Sequence, residues 1–359
     1  MITRIEIDGF KSFVDFELEV PPFLVVMGEN AGGKSNLIDA LMVLADSVRR
    51  GNDPFVARAP GDRGIPAELF HQYADGSRSR ELRIAVGVED CPSAVRGTVW
   101  RTAGYDAEAA VIDAPPVTGE FAPDGYRGAV YGMDDELHSW IGLGLVPTRM
   151  RDRGLVTDRQ SLEPDGGNLA AVLGRISEAE GSAWQELLAD AVALLPELRG
   201  IRVFRSREYW DLELESRGTG WMSARTASDG TLRVLAMLAA ARDPRYHSVL
   251  IIDEVENGLH PARLAELVRR LRAICRVSAE DGRTRQMILT THSPVVLSSL
   301  VPEHEGEVVF LSTAYGPRTV DGRKVGSLRT VAEPVGGAGL PRAEVRRILG
   351  TVQPLEPPR

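Results

Sequence analysis

The sequence predicts an α/β protein with a mixed sheet flanked by helices, and three observations carry that prediction. Strand-like and helix-like segments alternate along the chain. Two of the strands, Phe23 to Met27 and Val249 to Ile252, are continuous apolar runs of the kind buried on both faces. Each run gives way to a polar loop and then to a helix-spaced segment.

Taken in order, Ile5/Ile7 and then Val14/Phe16/Leu18/Val20 alternate apolar with polar residues, the period of half-buried strands, with GFKSF between them. The buried run ending at Gly28 follows. Leu37, Ile38, Leu41, Leu44, Ala45 and Val48 then recur at helical spacing until Gly51, after which residues to about Gly64 read as loop. Leu82/Ile84/Val86/Val88 marks another strand, with further strands around Val99 and Val111. From about Ala122 to Gly167, prolines, glycines and charges break any long pattern, and two helices follow, Asn168 to Glu180 and Ser182 to Leu195. Strands resume at Ile201/Val203 and Trp210/Leu212/Leu214. A helix from Gly230, the buried run Val249 to Ile252, a helix opened by Pro261 and a strand Met287 to Thr290 complete the pattern. The expected division is 1–120, an inserted helical and loop region 121–200, 201–350, and a proline-rich disordered tail 351–359.

Composition narrows the class. With 359 residues and 43% hydrophobic content the chain can bury a substantial core. It has no apolar run of membrane-spanning length and no basic-then-apolar leader, so a cytoplasmic protein without membrane contact is expected. Cys91 and Cys275 are isolated, which suggests neither a disulfide framework nor a zinc site. A net charge of −9 gives nucleic-acid binding no bulk support, leaving as a candidate contact only the cluster Arg149, Arg151, Arg153 and Arg159, equally readable as a solvated loop. Lysine occurs only at Lys11, Lys34 and Lys324, so the one in a glycine-rich loop stands out.

That loop, Gly28, Glu29, Asn30, Ala31, Gly32, Gly33, Lys34 and Ser35, satisfies GxxxxGK[ST] between a buried strand and an amphipathic helix. Glycines let backbone N–H groups turn around phosphate oxygens, and the helix N-terminus, including Asn36, adds its positive dipole end. Lys34 is expected to reach the β- and γ-phosphates of ATP, and Ser35 to ligate Mg²⁺. At the end of Val249 to Ile252 stand two acids, Asp253 and Glu254. Asp253 suits a second Mg²⁺ contact and Glu254 the polarisation of an attacking water.

Thr226-Ala-Ser228-Asp-Gly230-Thr opens a helix, and Thr290-Thr-His292-Ser-Pro294 follows a buried strand. With these segments the chain resembles the ABC-type ATPase heads of the SMC, RecF and OLD-like branch of P-loop NTPases, often labelled AAA-family ATPases. ITRIEIDGFKSF, GENAGGKSNLIDAL, IIDEVENGLHP and ILTTHSP carry the resemblance over Met1 to about Val48 and about Ile201 to Leu300, and LEPDGGNLAAVL carries it weakly between them. The resemblance implies that Ser228 and Gly230, as signature residues, close on the γ-phosphate bound by a second copy, and that His292 senses that phosphate. It also implies that Glu256 to His260 form a loop crossing the dimer interface. Ser228 alone reads as a plain N-cap. Asp229 stands where the family's LSGGQ form has a glycine, which weakens the expected contact in trans. Gln72 is the nearest candidate for the Q-loop glutamine. The functional expectation is Mg-dependent ATP hydrolysis coupled to head-to-tail homodimerisation. By analogy with stand-alone heads, it would drive an effector encoded nearby in DNA repair or antiphage defence. A transporter's nucleotide-binding subunit is the alternative, while the sixty or so residues after His292 are too few for a TOPRIM nuclease domain.

Overall fold

The computed structural model describes residues 1–49, 66–89, 96–106, 111–113, 118–122, 126–129, 139–179, 181–245, 248–276, 285–300, 304–336 and 339–350. The expected loop Gly51 to Gly64, Cys91 and the tail 351–359 lie outside them. Two units are distinguished, one of residues 1–140 with 302–359, the other of 141–301, so that residues 141–200 fold with the signature and acid-pair segments.

In the first unit the alternating N-terminal residues form β1 (Ile2–Asp8) and β2 (Phe16–Glu19). The apolar run forms β3 (Phe23–Gly28), buried throughout, and leads to helix α1 (Lys34–Arg49). Then come β4 (Glu81–Glu89), β5 (Arg96–Asp106), β6 (Val111–Asp113), β7 (Thr118–Ala122) and β8 (Tyr126–Ala129). These build an antiparallel sheet in the order β2-β1-β4-β5-β7-β8, with β6 on β5. Helix α1 packs Leu37, Leu41 and Leu44, all fully buried, in a layer against β3, β4 and β5.

The second unit holds β9 (Ile141–Leu143), β10 (Gly154–Leu155), α2 (Leu169–Glu178), α3 (Ala183–Leu194), β11 (Leu198–Ser206), β12 (Tyr209–Ser216) and β13 (Gly220–Ser223). It continues with α4 (Asp229–Arg242), β14 (Val249–Ile252), α5 (Pro261–Arg276), β15 (Gln286–Thr291) and α6 (Pro294–Leu300). Strands β9, β14 and β15 are parallel, with β14 between the others. Helix α4 is apolar almost all round, because α2, α3, α5 and β14 all contact it. Arg242 on α4 and Arg270 on α5 both bind the buried Asp190 of α3, at 2.7 and 2.5 Å, so this buried carboxylate is paired twice.

The chain returns to the first unit with β16 (Val308–Val320), β17 (Arg323–Pro334) and α7 (Arg342–Gly350). Strand β16 runs parallel to β3, and β17 pairs antiparallel with it along its whole length. This hairpin is absent from the sequence reading. Gly316 and Pro317 look like breakers, yet they sit in the ladder opposite Ser327 and Gly326.

Candidate functional site

In the first unit the phosphate-loop motif folds as strand, loop and helix. Register between Leu311 of β16 and Gly28 brings the Leu311 carbonyl so near that a Cβ on Gly28 would lie 2.4 Å from it, and one on Gly32 would lie 2.9 Å from it. Gly33 adopts φ 101°, and a Cβ there would meet the Thr330 hydroxyl of β17 at 2.3 Å. Close approach therefore requires glycine at all three positions, and at Gly33 backbone freedom does so as well. Thr330 donates to Ser12 Oγ at 2.8 Å, and Asn36 Nδ2 donates to the same oxygen at 2.9 Å, so the FKSF turn and β17 support the loop from behind. Lys34 is buried, its ammonium donating to the carbonyls of Gly28 and Glu29 at 2.8 and 2.9 Å. Glu29, Asn30 and Ala31 are exposed, Ala31 with φ 64°, and Ser35 is half-buried at the start of α1, whose first turn carries no acid. An N-terminus without an acidic neighbour leaves its N–H groups for an anion.

Lys11, at φ 45°, pairs its ammonium with Asp39 of α1 at 2.6 Å. Its carbonyl lies 2.6 Å from Nδ1 of the buried His71, whose Nε2 lies 3.0 Å from Ser327 Oγ; burial holds the His71 imidazole below its ordinary pKa. Gln72, beside it, is exposed and bridges to Arg78.

In the second unit Asp253 and Glu254 leave the tip of β14, and β15 supports both. The fully buried Thr290 donates its hydroxyl to Asp253 Oδ1 at 2.6 Å and accepts the Glu254 N–H at 2.8 Å. Glu254 has φ 49°, an uncommon conformation for this residue type, and its carboxylate is exposed with Asn257 donating to Oε2 at 2.6 Å. His292 follows β15, and Glu256 Oε1 receives its backbone N–H at 2.8 Å and faces its Nδ1 at 2.6 Å. Glu256 is thus turned inward and fixes the ring's orientation, leaving Nε2 as the outward nitrogen of a side chain 42% exposed. Ser228 caps α4, accepting the Thr231 N–H at 3.2 Å. A Cβ on Gly230 would meet the Gly258 carbonyl at 2.4 Å, so the start of α4 abuts the 256–260 loop.

The arginine cluster is bound within the chain. Arg149 pairs with Asp152 and Asp165, Arg153 with Asp211, and Arg151 with Asp229, while Arg159 is exposed. Three of these four arginines have carboxylate partners within the chain, so the cluster carries less unpaired positive charge than its sequence suggests. Among the described residues no three His, Cys, Asp or Glu side chains form a self-contained metal site. Ser35 and Asp253 are hard oxygen donors of the type Mg²⁺ takes alongside phosphate and water.

Sequence reasoning missed Thr290, Glu256, Thr330 and Arg151 as supporting residues. The first two lie inside motifs that were read, TTHSP and ENGLHP; nothing local marks the others.

Residues 189–298 match the family described as "AAA domain, putative AbiEii toxin, Type IV TA system", and residues 1–50 match "Protein of unknown function (DUF2813)". No curated protein matches the chain. Among solved structures it is similar to an SMC head bound to the C-terminal winged-helix domain of ScpA, at 14% identity and TM-score 0.58 over 93% of this chain and 97% of that one. It is similar also to the SMC head with a coiled coil and joint from Pyrococcus yayanosii, at 10% identity and TM-score 0.58 over 98% of this chain and 99% of that one. A third is the SMC head of Thermotoga maritima, at 14% identity and TM-score 0.50 over 94% and 99%. The chain has the fold of SMC head domains, and residues 189–298 match a family of AAA domains. Among the described residues no helix is long and apolar enough to cross a membrane.

Proposed function

We propose that the chain binds and hydrolyses ATP with Mg²⁺, and that ATP joins two copies head to tail. The observation that carries this reading is the set of braces behind β14 and β15: Thr290 holds Asp253 and the Glu254 backbone, Asn257 holds the Glu254 carboxylate, and Glu256 holds His292. Groups fixed in this way are arranged for chemistry rather than for solvation.

In this reading the N–H groups of Gly28 to Asn36 and the Lys34 ammonium bind the phosphates, and Ser35 and Asp253 hold Mg²⁺, which would neutralise phosphate charge. Glu254 orients water and accepts its proton, and His292 contacts the γ-phosphate through Nε2. Ser228 and Gly230 of the other copy close the site. The family matched at 189–298 carries a toxin–antitoxin name, and one similar structure is an SMC head bound to ScpA. Both support an ATP-gated head that acts on a protein effector, in defence or repair.

Glu254→Gln tests it. This variant keeps size and the Asn257 contact but lacks the base, so hydrolysis falls about 10²- to 10⁴-fold while ATP binding persists. Light scattering then finds an ATP-dependent dimer; the same mass with and without ATP rules the mechanism out.

A further inference from the structure

Asp229 is the anomaly of the signature segment. It occupies the first turn of α4, with its side chain 60% exposed, at the helix start that the reading above assigns to the partner's γ-phosphate. A carboxylate favours a helix N-terminus by itself but repels an arriving phosphate.

The structure shows what offsets it. Arg151 Nη2 donates to Asp229 Oδ1 at 2.7 Å and to the Ala227 carbonyl at 2.8 Å. Its Nε donates to the Arg225 carbonyl at 3.1 Å and its Nη1 to the Pro147 carbonyl at 2.8 Å. Four acceptors on two segments, Pro147 and the stretch 225–229, fix the plane of the guanidinium, something a lysine's point charge would not achieve. The LEPDGGN segment in turn sets Arg151. Asp165 binds the neighbouring Arg149 at 3.1 Å, and the φ 80° glycine Gly166 packs so closely on buried Met150 that a Cβ would lie 2.6 Å from its Cγ. A second cation, Arg233, lies one turn along α4, attracted by Asp229 and Glu254 while burial lowers its pKa. The carboxylate is therefore flanked by positive charge.

We propose that Arg151 is a positioning residue that makes an aspartate-containing signature competent to receive the partner's phosphate, by neutralising Asp229 and drawing it aside from the helix start. This role rests on the reading that Ser228 and Gly230 close on the other copy's nucleotide. It explains a use for LEPDGGN that the nucleotide site does not otherwise require.

The test is intragenic suppression in the full-length chain. Arg151→Ala is expected to keep ATP affinity by calorimetry while ATP-dependent dimerisation and hydrolysis fall about ten- to a hundredfold, the range for losing a charge-assisted hydrogen bond. Adding Asp229→Gly to that variant removes the carboxylate and is expected to restore dimerisation to within about threefold of native. A purely scaffolding role for Arg151 would not be rescued, because the three carbonyl contacts stay lost. Arg151→Gln, which is shorter and uncharged but keeps a polar donor, carries the same comparison if alanine unfolds the protein. Normal dimerisation in Arg151→Ala, or no recovery with Asp229→Gly, overturns the proposal. Ser228→Arg is run alongside. Normal ATP-dependent dimerisation there removes the shared-site reading itself, whereas loss there without loss in Arg151→Ala removes only the role given to Arg151.

Discussion

At Gly28 and Gly32 it is a backbone carbonyl, that of Leu311, that presses to where a Cβ would stand, whereas at Asp253, Glu254 and His292 the neighbours are single side chains, Thr290 of β15 and Asn257 and Glu256 of the loop after β14. The phosphate loop is shaped by main chain and tolerates little added volume. The acid pair and histidine are shaped by single polar contacts, and each can be removed alone. Binding and turnover should therefore separate by mutation, one failing through bulk and the other through lost hydrogen bonds.

The largest effect is expected at Gly28. Gly28→Ala forces β3 away from β16, since a backbone oxygen 2.4 Å from the new methyl carbon cannot rotate aside. A stability loss of about 3 kcal/mol, measured by urea unfolding, together with loss of ATP binding is expected. Native-like stability would show that the strand pair has more slack than the geometry gives it.

Thr290→Val should act on the other region in the other way. It strips both hydrogen bonds from a buried position while keeping the shape, a loss of about 1–3 kcal/mol. Single-turnover hydrolysis should fall at least about tenfold as Asp253 and Glu254 lose their common support, with ATP affinity changed only a few-fold. If affinity collapses instead, Thr290 belongs to binding and the separation fails.

The smallest effect is one of pH. Burial lowers the pKa of His71, so the unfolded chain takes up this proton more readily than the folded one. The stability linked to His71 is thus fully present above its unfolded pKa of about 6.5 and is lost as pH falls through its lower folded value. His71→Gln should flatten this part of the stability–pH curve, compared by urea unfolding between about pH 7 and pH 5. Parallel curves would mean that His71 does not titrate there.

The sequence made plain whatever rests on local pattern. Phe23 to Met27 and Val249 to Ile252 became the buried strands expected, and Gly230 and Pro261 lie at helix starts as expected. Less legible was whatever depends on pairing at a distance. The β16–β17 hairpin hides behind Gly316 and Pro317, and the outer half of β16 alternates between half-buried and exposed positions with no fully buried one, so no apolar repeat marks it. Thr330 supports Gly33 from almost the far end of the chain, and Arg151 meets Asp229 from a segment that reads as a charged loop. No periodicity marks such partners, since a single hydrogen bond imposes no repeat on the residues around it. The arginine cluster was likewise only half legible: four positive charges close in sequence can be seen, but not that the fold gives three of them carboxylate partners.

The contact of Gly230 with the Gly258 carbonyl carries a mechanical meaning. With no side chain between them, the tip of one loop and the first turn of α4 have no compressible layer to absorb a displacement. The 256–260 loop thus touches the first turn of α4 at Gly258 and His292 through Glu256, so a displacement of this loop would bear on both at once.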